Sequence, residues 1–195
     1  MGDNAIQAAI PMSDDLAAQT RAALRRLASA VAVVTCRDAC GRHAMTATAV
    51  NAMSMQPPSM IVCVNRAASF HAALSRADSF AINILHRSHE QISAQCGGKA
   101  RGEERFDSGA WGTEDGVPVL ADAQARVVCA KESRFEYGSH TIFVGRVISI
   151  GIHGGVDPLI YVDGRYTGLP PGEAPSSELQ LQIEAYRQLT LGWAA

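Results

Sequence analysis

The sequence predicts a mainly β protein, an antiparallel barrel with a few peripheral helices. Strand-like apolar runs clearly outnumber helical patterns along the chain. These runs follow one another through short turns, as in β-hairpins, rather than alternating with helices as in βαβ units. No internal repeat divides the chain, and 195 residues suffice for one domain with a sizeable core but not for two full ones.

The N-terminal part of the chain predicts a helix followed by a hairpin. Residues 13–30 begin with Ser13, a candidate N-cap, and then carry acids in the first turn and arginines towards the end. This order indicates an amphipathic helix. Residues 31–37 (VAVVTCR) have the pattern of a buried strand, and the DACGRH that follows predicts a hairpin turn near Gly41.

The return strand of this hairpin has an unusual composition. Residues 43–58, HAMTATAVNAMSMQPP, hold small side chains, threonines, one Asn and three Met, with almost no large β-branched or aromatic residues. Alternation along a strand places Ala47 and Ala49 on the same face. Pro57 and Pro58 end the strand, because proline cannot donate to a ladder. Taken alone, the pattern favours an ordinary half-buried strand.

The rest of the chain predicts further strands and two short helices. Ser69 is a candidate cap for a short helix over residues 70–77, and residues 89–96 predict a second one. Residues 97–116 have the composition of a loop, with glycine, charge and one Trp. The predicted strands are residues 59–65, 79–85, 125–137, 140–152 and 158–166.

The two ends of the chain differ from the domain between them. We expect a single domain over residues 1–169, of which the first 12 or so residues are disordered. Residues 170–195 begin with PPGEAPSS, which has the composition of a linker. Ser177 and Gln180 then match a capping box ahead of a short helix, whose apolar stripe we expect to dock on a neighbour.

Composition excludes several classes of function. A formal net charge of −2 leaves no electrostatic footprint for nucleic acid. No apolar run reaches about 18 residues, which argues against a membrane-spanning helix. The N-terminus has no basic segment followed by an apolar one, so no secretory signal is evident. Five cysteines without a C-x-x-C pair favour the reduced, cytoplasmic compartment.

Several catalytic motifs are absent, and one pair of histidines and one single histidine need a separate interpretation. The sequence has no P-loop, no G-x-G-x-x-G opening a helix and no G-x-S-x-G elbow. His86, His89 and Glu90 have the spacing of a metal cluster, but solvated residues are the better interpretation, so no metal site is expected. His140 stands at the mouth of a long apolar strand after a Gly-Ser turn, where a histidine can point into a cleft.

An ordered series of segments from Leu24 to Tyr166 resembles the flavin reductase-like family, the short-chain reductases that supply reduced flavin to two-component monooxygenases. No single segment is decisive, but their order and spacing together are specific. The tail from Pro170 and most of the first 20 residues lie outside the resemblance. The matching segments are LASAVAVVTCRDACGRHAMTATAVNAMSMQPPSMIVCVNRAASFHAAL, FAINIL, ERFDSGAW, GVPVLADAQARVVC, GSHTIFVGRV and PLIYVDGRY.

The resemblance implies a fold, a reaction and partners. The fold is an FMN-binding split β-barrel, a Greek-key-like antiparallel barrel, that holds flavin at or near a homodimer interface. The reaction is NAD(P)H-dependent reduction of FMN or FAD by hydride transfer to the isoalloxazine. The reduced flavin would diffuse to a partner monooxygenase component, without involvement of nucleic acid or membrane.

The resemblance also implies where the flavin ring lies. A flat tricyclic ring must approach the backbone closely, which the small side chains of Ala47 and Ala49 favour. Backbone amides and the hydroxyls of Thr46 and Thr48 would bond the pyrimidine edge and the ribityl chain. Such groups tune the ring, while the hydride chemistry belongs to the cofactors.

Other matching segments are expected to hold the rest of the cofactors. In the NRAASFH turn, Ser69 offers a hydroxyl at a helix N-terminus and Arg66 offers charge for the phosphate. His140 is the candidate catalytic residue, acting by positioning or hydrogen bonding rather than by obligatory proton transfer. The implied cofactor-binding residues are Thr46, Ala47, Thr48, Ala49, Asn51, Ala52, Asn65, Arg66, Ala68, Ser69, Lys99, Arg105, Phe106, His140, Arg165 and Tyr166.

The sequence departs from the family pattern in the predicted flavin strand. Many relatives carry a hydroxyl residue where this chain has Ala49 and Ala52, and Thr or Ser where it has Asn51. Flavin contacts there must come from the backbone or from the Asn amide. This difference is compatible with weaker binding, which suits a flavin that leaves as product, and equally with a different flavin preference.

Two other classes of function remain open at this point. One is a non-catalytic flavin- or haem-binding split-barrel protein, in which His140 would be a structural or ligand histidine. The other is a purely structural dimer module. The sequence also leaves open FMN against FAD, NADH against NADPH, flavin as substrate or prosthetic group, and the partner monooxygenase.

Overall fold

The computed structural model describes residues 14–170. Within this range, three helices accompany twelve strands, so the mainly β prediction is confirmed. The helices are α1 (Asp14–Leu24), α2 (Ser69–Arg76) and α3 (Glu90–Ala94). The strands are β1 (Ser29–Ala30), β2 (Ala32–Asp38), β3 (Gly41–Ala47), β4 (Val50–Met55), β5 (Pro58–Asn65), β6 (Ser79–Ile84), β7 (Trp111–Glu114), β8 (Val117–Leu120), β9 (Ala125–Tyr137), β10 (His140–Ile152), β11 (Ile160–Val162) and β12 (Arg165–Thr167).

Seven strands form the main sheet, in the order β3-β2-β6-β9-β10-β5-β4. All of its neighbouring strands are antiparallel. Its two edge strands, β3 and β4, are consecutive in the chain and are joined by only two residues, Thr48 and Ala49. That connection spans at most about 11 Å from Ala47 to Val50. The sheet must therefore curl until its edges approach each other, which makes it a barrel.

Two smaller sheets complete the fold. Strands β1, β11 and β12 form a three-stranded sheet in the order β1-β11-β12, and β7 pairs with β8. A 3₁₀ turn over Arg87–His89 precedes α3, a π-helical turn over Gln95–Lys99 follows it, and another 3₁₀ turn covers Gly102–Phe106. These segments lie over β3 and close one side of the barrel.

The single strand predicted over residues 43–58 is wrong, because β3 and β4 belong to opposite edges of the sheet. The break has a consequence for the side chains. Ala47 is buried in the main core, whereas Ala49 is exposed, so the alternation that placed them on one face does not hold. A hydrogen bond from Cys63 N to Ala49 O, 3.0 Å long, fixes the second half of the segment beside β5.

Other boundaries also differ from the sequence-based prediction. The N-cap of α2 is Ala68, not Ser69, and Ser69 is its first helical residue. Residues 97–116 are not one loop but contain helical turns and β7. Residues 158–166 form the β11–β12 hairpin around Asp163–Gly164 rather than one strand. The predicted Ser13 cap, the disordered N-terminal residues and residues 171–195 of the C-terminal linker and helix lie outside the described residues.

The main core fills the barrel beneath α2. Phe70 and Leu74 of α2 pack there with Phe80 of β6 and Phe143 of β10, and all four are fully buried. Gly145 of β10 lies directly against this cluster, where a Cβ atom would approach the Phe80 ring to 2.6 Å. The absence of a side chain at that position lets the sheet close tightly over the phenyl ring.

The carboxylate of Asp38 connects α2 to the hairpin between β2 and β3. Its side chain is only 3% exposed and lies 2.8 Å from His43 Nε2 and 2.6 Å from Arg76 Nη2. It also accepts a 2.8 Å hydrogen bond from Cys40 N. The hydrogen bond from His43, followed by that from Arg76, holds the pKa of Asp38 well below its ordinary value of 3.8.

We expect the Asp38 carboxylate to make the free energy of unfolding depend on pH in the acid range. A lowered carboxyl pKa contributes stability above the ordinary pKa, and this contribution is lost as pH falls below about 4 towards the folded-state pKa. Asp38→Asn should therefore unfold at a lower temperature at pH 7 and should lose less additional stability on acidification than the wild type. Thermal unfolding followed by circular dichroism from pH 7 to the acid limit measures both effects.

Asp163→Asn is the matched control for this prediction. Asp163 also pairs with an arginine, Arg25, at 2.8 Å, but both side chains are more than half exposed. An exposed ion pair contributes little, so its removal should leave the melting temperature nearly unchanged. Equal acid sensitivity of wild type and Asp38→Asn would contradict the role assigned to Asp38.

Candidate functional site

A cleft of about 1200 Å³ opens where the chain crosses from one edge of the sheet to the other. Its floor is the segment Thr48–Asn51, together with Ser29 and Ala30 of β1. One wall is α1 with Arg21, together with Arg25 just after the helix, and the other is the turn of the β11–β12 hairpin from Tyr161 to Gly164. Its size suits a ligand with several rings.

The floor of the cleft offers backbone and small side chains. Thr48, Ala49 and Asn51 are exposed there, and Ala52, which follows them in β4 outside the cleft lining, is exposed as well. Because Ala49 ends at Cβ, a flat ligand can approach the main chain there. Thr48 and Asn51 add a hydroxyl and an amide, so this surface can both donate and accept hydrogen bonds.

Two other residues predicted to contact the flavin, Ala47 and Thr46, point elsewhere. Ala47 belongs to the buried core. The Thr46 hydroxyl donates a 2.6 Å hydrogen bond to the carbonyl oxygen of Ser93 in α3. Thr46 therefore joins β3 to α3, and the exposed part of the predicted flavin-binding segment begins at Thr48.

Strand register brings His140 close to this floor. His140 pairs with Asn65 across β5 and β10, and Ile142 pairs with Cys63. Since Cys63 N is also bonded to Ala49 O, His140 lies two residue steps along the sheet and two strand spacings across it from Ala49. These offsets are roughly 7 Å and roughly 10 Å, which together give about 12 Å. A ligand with several rings can span this separation.

His140 itself is exposed at the start of β10. Its Nδ1 lies 2.9 Å from the Ser139 hydroxyl. Within residues 14–170, its Nε2 has no hydrogen-bond partner. One ring nitrogen is therefore held by Ser139, and the other is open to solvent. This arrangement can present a hydrogen-bonding nitrogen to a bound ligand.

The turn between β5 and α2 lies beside His140 and offers an anion site. Arg66 Nη2 donates to Gly138 O at 2.6 Å, and Arg66 N donates to Ser139 O at 2.9 Å, which ties this turn to the β9–β10 turn. Asn65 Oδ1 accepts from Ala67 N at 2.9 Å. No side chain caps α2, and Ser69 is exposed as its first residue, so amides at this end can bind an anion.

Arg105 and Phe106 lie in a segment that packs against β3. Arg105 is half-buried and donates to Ala100 O at 3.1 Å and to Ala44 O. The Phe106 ring is buried, meets Trp111 edge to face at 5.0 Å and lies beneath the guanidinium of Arg42 at 4.2 Å. In these positions both side chains hold the loop to the barrel.

The remaining predicted residues lie near the walls of the cleft or outside it. Lys99 and Arg165 are exposed. Tyr166 is half-buried, its hydroxyl lies 2.8 Å from Ser93 Oγ, and its ring meets Tyr161 edge to face at 5.4 Å. Sequence reasoning missed Ser93 and Tyr161. The hairpin pattern of PLIYVDGRY could have pointed to Tyr161, whereas Ser93 is visible only from its contacts.

The histidines at the start of α3 are engaged in local structure. His86 Nδ1 lies 2.8 Å from the Ser88 hydroxyl, and His89 Nδ1 accepts from His86 N at 3.3 Å. Among the described residues, no group of three or more His, Cys, Asp or Glu side chains is arranged to hold a metal ion. No helix in residues 14–170 is long and apolar enough to cross a membrane.

Comparisons with known proteins agree on one family. Residues 24–170 match the family described as flavin reductase like domain. The chain is 38% identical over 174 residues to an FMN reductase (NADH), RutF 1, of Methylorubrum extorquens, covering 87% of this chain and 85% of that protein. It is 36% identical to the reductase component of the FADH(2)-dependent resorcinol hydroxylase of a Rhizobium species, covering 77% and 86%.

Solved structures confirm the fold. The NADH:FAD oxidoreductase SgcE6 of Streptomyces globisporus superposes with a TM-score of 0.76 at 28% identity, covering 85% of this chain and 99% of that one. The same oxidoreductase has been solved in complex with NAD and FAD fragments, with a TM-score of 0.73 to this chain. The split β-barrel expected from the sequence is therefore the fold of this protein.

Proposed function

Because the chain belongs to the flavin reductase-like domain family, we propose that the cleft above Thr48–Asn51 and the adjoining His140 surface form its flavin and nicotinamide site. The protein is an NADH-dependent flavin reductase that supplies reduced flavin to a monooxygenase. In this reaction the reduced nicotinamide supplies a hydride and the flavin accepts it.

One observation carries the placement of the site. The chain leaves the ladder at Thr48–Ala49, and the register of β5 with β10 puts His140 two residue steps and two strands from that point, about 12 Å away. Hydride transfer needs two flat rings held close and aligned. An exposed backbone strip of small residues beside an exposed histidine meets this requirement.

The residues have separate tasks in this proposal. Ala49 and Ala52 allow the flavin ring to approach the main chain, and Thr48 and Asn51 hydrogen-bond its polar edge. Ser69 and the uncapped amides of α2 hold the flavin phosphate. Arg66 orders that turn and adds positive charge, while His140 orients the ring and the nicotinamide through a hydrogen bond.

Four further residues of the predicted binding set act directly or through the walls of the site in this proposal. Lys99 and Arg165 add exposed positive charge, which suits ligands that carry phosphates. Arg105 and Phe106 act indirectly in this proposal, because their contacts with Ala44, Arg42 and Trp111 hold the 95–106 segment against β3.

We also propose a homodimer with flavin near the subunit interface. Beyond Arg146, β10 has no partner on its β5 side among the described residues. This edge presents Ile150 and Ile152, which are 61% and 80% exposed, and α1 presents Leu24, followed by Leu27, which are also exposed. A second copy that covers these side chains would explain why they face solvent in one chain.

Sedimentation analysis of the purified protein measures the oligomeric state, and a monomer at micromolar concentration would contradict this assignment.

The activity is tested with the purified full-length chain under anaerobic conditions. FMN or FAD is combined with NADH or NADPH, and nicotinamide absorbance is followed. We expect oxidation of NADH with at least one flavin, and faster turnover with NADH than with NADPH. No oxidation with any combination would overturn the proposed function. Bound flavin that stays oxidised with both nicotinamides would support the non-catalytic alternative.

Desalting of the flavin-loaded protein separates two modes of use. A flavin spectrum that disappears on desalting indicates a diffusible flavin that serves as substrate. A spectrum that remains with the protein indicates a prosthetic group. We expect loss of the spectrum, because Ala49 and Ala52 offer no side-chain hydrogen bonds to retain the ring.

The five cysteines, none of which is in a disulfide, fit the cytoplasmic compartment proposed for this reaction.

A further inference from the structure

Ser93, the fourth residue of α3, is hydrogen-bonded to two residues that lie next to the floor and next to the hairpin wall of the candidate site. It is 0% exposed. Its carbonyl oxygen accepts a 2.6 Å hydrogen bond from the Thr46 hydroxyl at the end of β3. Its own hydroxyl lies 2.8 Å from the hydroxyl of Tyr166 in β12. One buried residue thus joins two elements that are far apart in the sequence.

The first of these contacts leads to the floor of the cleft. Thr46 is two residues before Thr48, where the chain crosses between the edges of the sheet. With its hydroxyl engaged by Ser93, Thr46 fixes the point at which this crossing begins. The position of the exposed Thr48–Asn51 segment therefore depends on the contact between α3 and β3.

The second contact leads to the wall that the β11–β12 hairpin forms. Tyr166 meets Tyr161 edge to face at 5.4 Å, and Tyr161 lines the cleft with Val162, Asp163 and Gly164. The hairpin is also held by two pairs with β1, by backbone hydrogen bonds from Asp163 N to Arg25 O and from Val31 N to Leu159 O, and by the exposed Arg25–Asp163 ion pair. An ion pair that exposed contributes little. The part-buried Ser93–Tyr166 hydrogen bond is better shielded from water than that ion pair, and it ties β12 directly to α3.

We propose that Ser93 is a positioning residue that sets the width of the flavin cleft by holding its floor and its hairpin wall at a fixed separation. This inference rests on the proposed function, since it concerns the same cleft. Ser93 does not touch the flavin. Its effect is transmitted through Thr46 on one side and through Tyr166 and Tyr161 on the other.

Ser93→Ala tests the hairpin side alone, because the backbone carbonyl that binds Thr46 remains. Loss of one hydrogen bond between neutral groups should raise the KM for flavin about 3- to 10-fold. Turnover at saturating flavin and NADH should change less than about twofold, because the residues that contact the reacting rings are intact. Tyr166→Phe should raise the KM for flavin by a similar factor, and it serves as the second variant if Ser93→Ala does not fold.

The double variant Ser93→Ala/Tyr166→Phe distinguishes a shared interaction from two separate ones. If the two hydroxyls act through their mutual hydrogen bond, the double variant should raise the flavin KM no more than either single variant. Changes that multiply would overturn the proposal, because each hydroxyl would then act independently.

Thr35→Val is the matched control. Thr35 is also 0% exposed, and its hydroxyl also donates to a backbone carbonyl, that of Pro118, away from the cleft. We expect a lower melting temperature with an unchanged flavin KM. If Thr35→Val raises the flavin KM as much as Ser93→Ala, the effect of Ser93 is general destabilisation and the proposal fails.

Flavin binding and activity of the wild type distinguish a failure of the proposed function from a failure of the role assigned to Ser93. A wild-type protein that neither binds nor reduces flavin would overturn the proposed function and this inference with it. An active wild type with an unchanged flavin KM in Ser93→Ala and in Tyr166→Phe would overturn only the role of Ser93.

Discussion

Replacing His140 with alanine is expected to lower kcat/KM for NADH about 10- to 100-fold. The histidine lies at the junction of the cleft floor and the β5–α2 turn, paired with Asn65. Ser139 engages its Nδ1, which leaves Nε2 facing solvent. Removal of the ring takes away the hydrogen bond that we propose orients the reacting rings. It leaves the sheet intact, because the side chain is exposed. Stopped-flow measurement of flavin reduction by NADH tests the chemical step directly.

His153→Ala is the control for this experiment. His153 is also exposed and follows the far end of the same strand, where its backbone N bonds to Gln124 O. It should retain wild-type kinetics. Circular dichroism and sedimentation should show that both variants fold and assemble as the wild type does. Unchanged kinetics in His140→Ala with both nicotinamides would show that His140 is an ordinary histidine of a surface turn.

Filling the cleft floor with a large side chain is expected to abolish most of the flavin reduction. Ala49→Phe places a ring on the surface along which the flavin is proposed to lie. A displacement of the bound ring by even about 1 Å can cost a factor of about 100 in rate. Ala49 is exposed and outside the β3 and β4 ladders, so the fold should tolerate the substitution. Flavin titration by fluorescence and steady-state kinetics at several flavin concentrations measure binding and turnover.

Ala121→Phe provides the matched control, because Ala121 is also exposed and lies in the turn between β8 and β9. It should bind and reduce flavin as the wild type does. If Ala49→Phe keeps the wild-type KM for flavin and the wild-type turnover, the ring does not lie on Thr48–Asn51. The proposed site would then have to be abandoned even if the activity is present.

Local patterns were sufficient for the long strands of the barrel. The boundaries of β9 and β10 agree with the prediction, because each is a run of 13 residues bounded by turn residues. The helix α2 was also found from its composition, although its cap was placed one residue late. The family could be recognised because several short segments occur in order, which depends on sequence alone.

The candidate site could be predicted only in part. Thr48, Ala49, Asn51, Asn65, Ser69 and His140 are exposed in the cleft or beside it. Ala47, Arg105 and Phe106 pack into the barrel, and Thr46 and Tyr166 bind Ser93. A motif identifies a segment, but neighbouring side chains in that segment point in different directions. Which of them reach a ligand depends on what packs behind the strand.

The sequence by itself determined the strand-rich composition, the long hairpins and the family to which the chain belongs. Only the tertiary structure decided that residues 43–58 form two strands at opposite edges of the sheet, with Thr48 and Ala49 crossing between them. Only it joined Thr46 and Tyr166 through Ser93. The physical reason is the range of the interactions. Alternation and turn chemistry act between residues a few positions apart, whereas strand pairing and buried hydrogen bonds join residues that only the folded chain brings together.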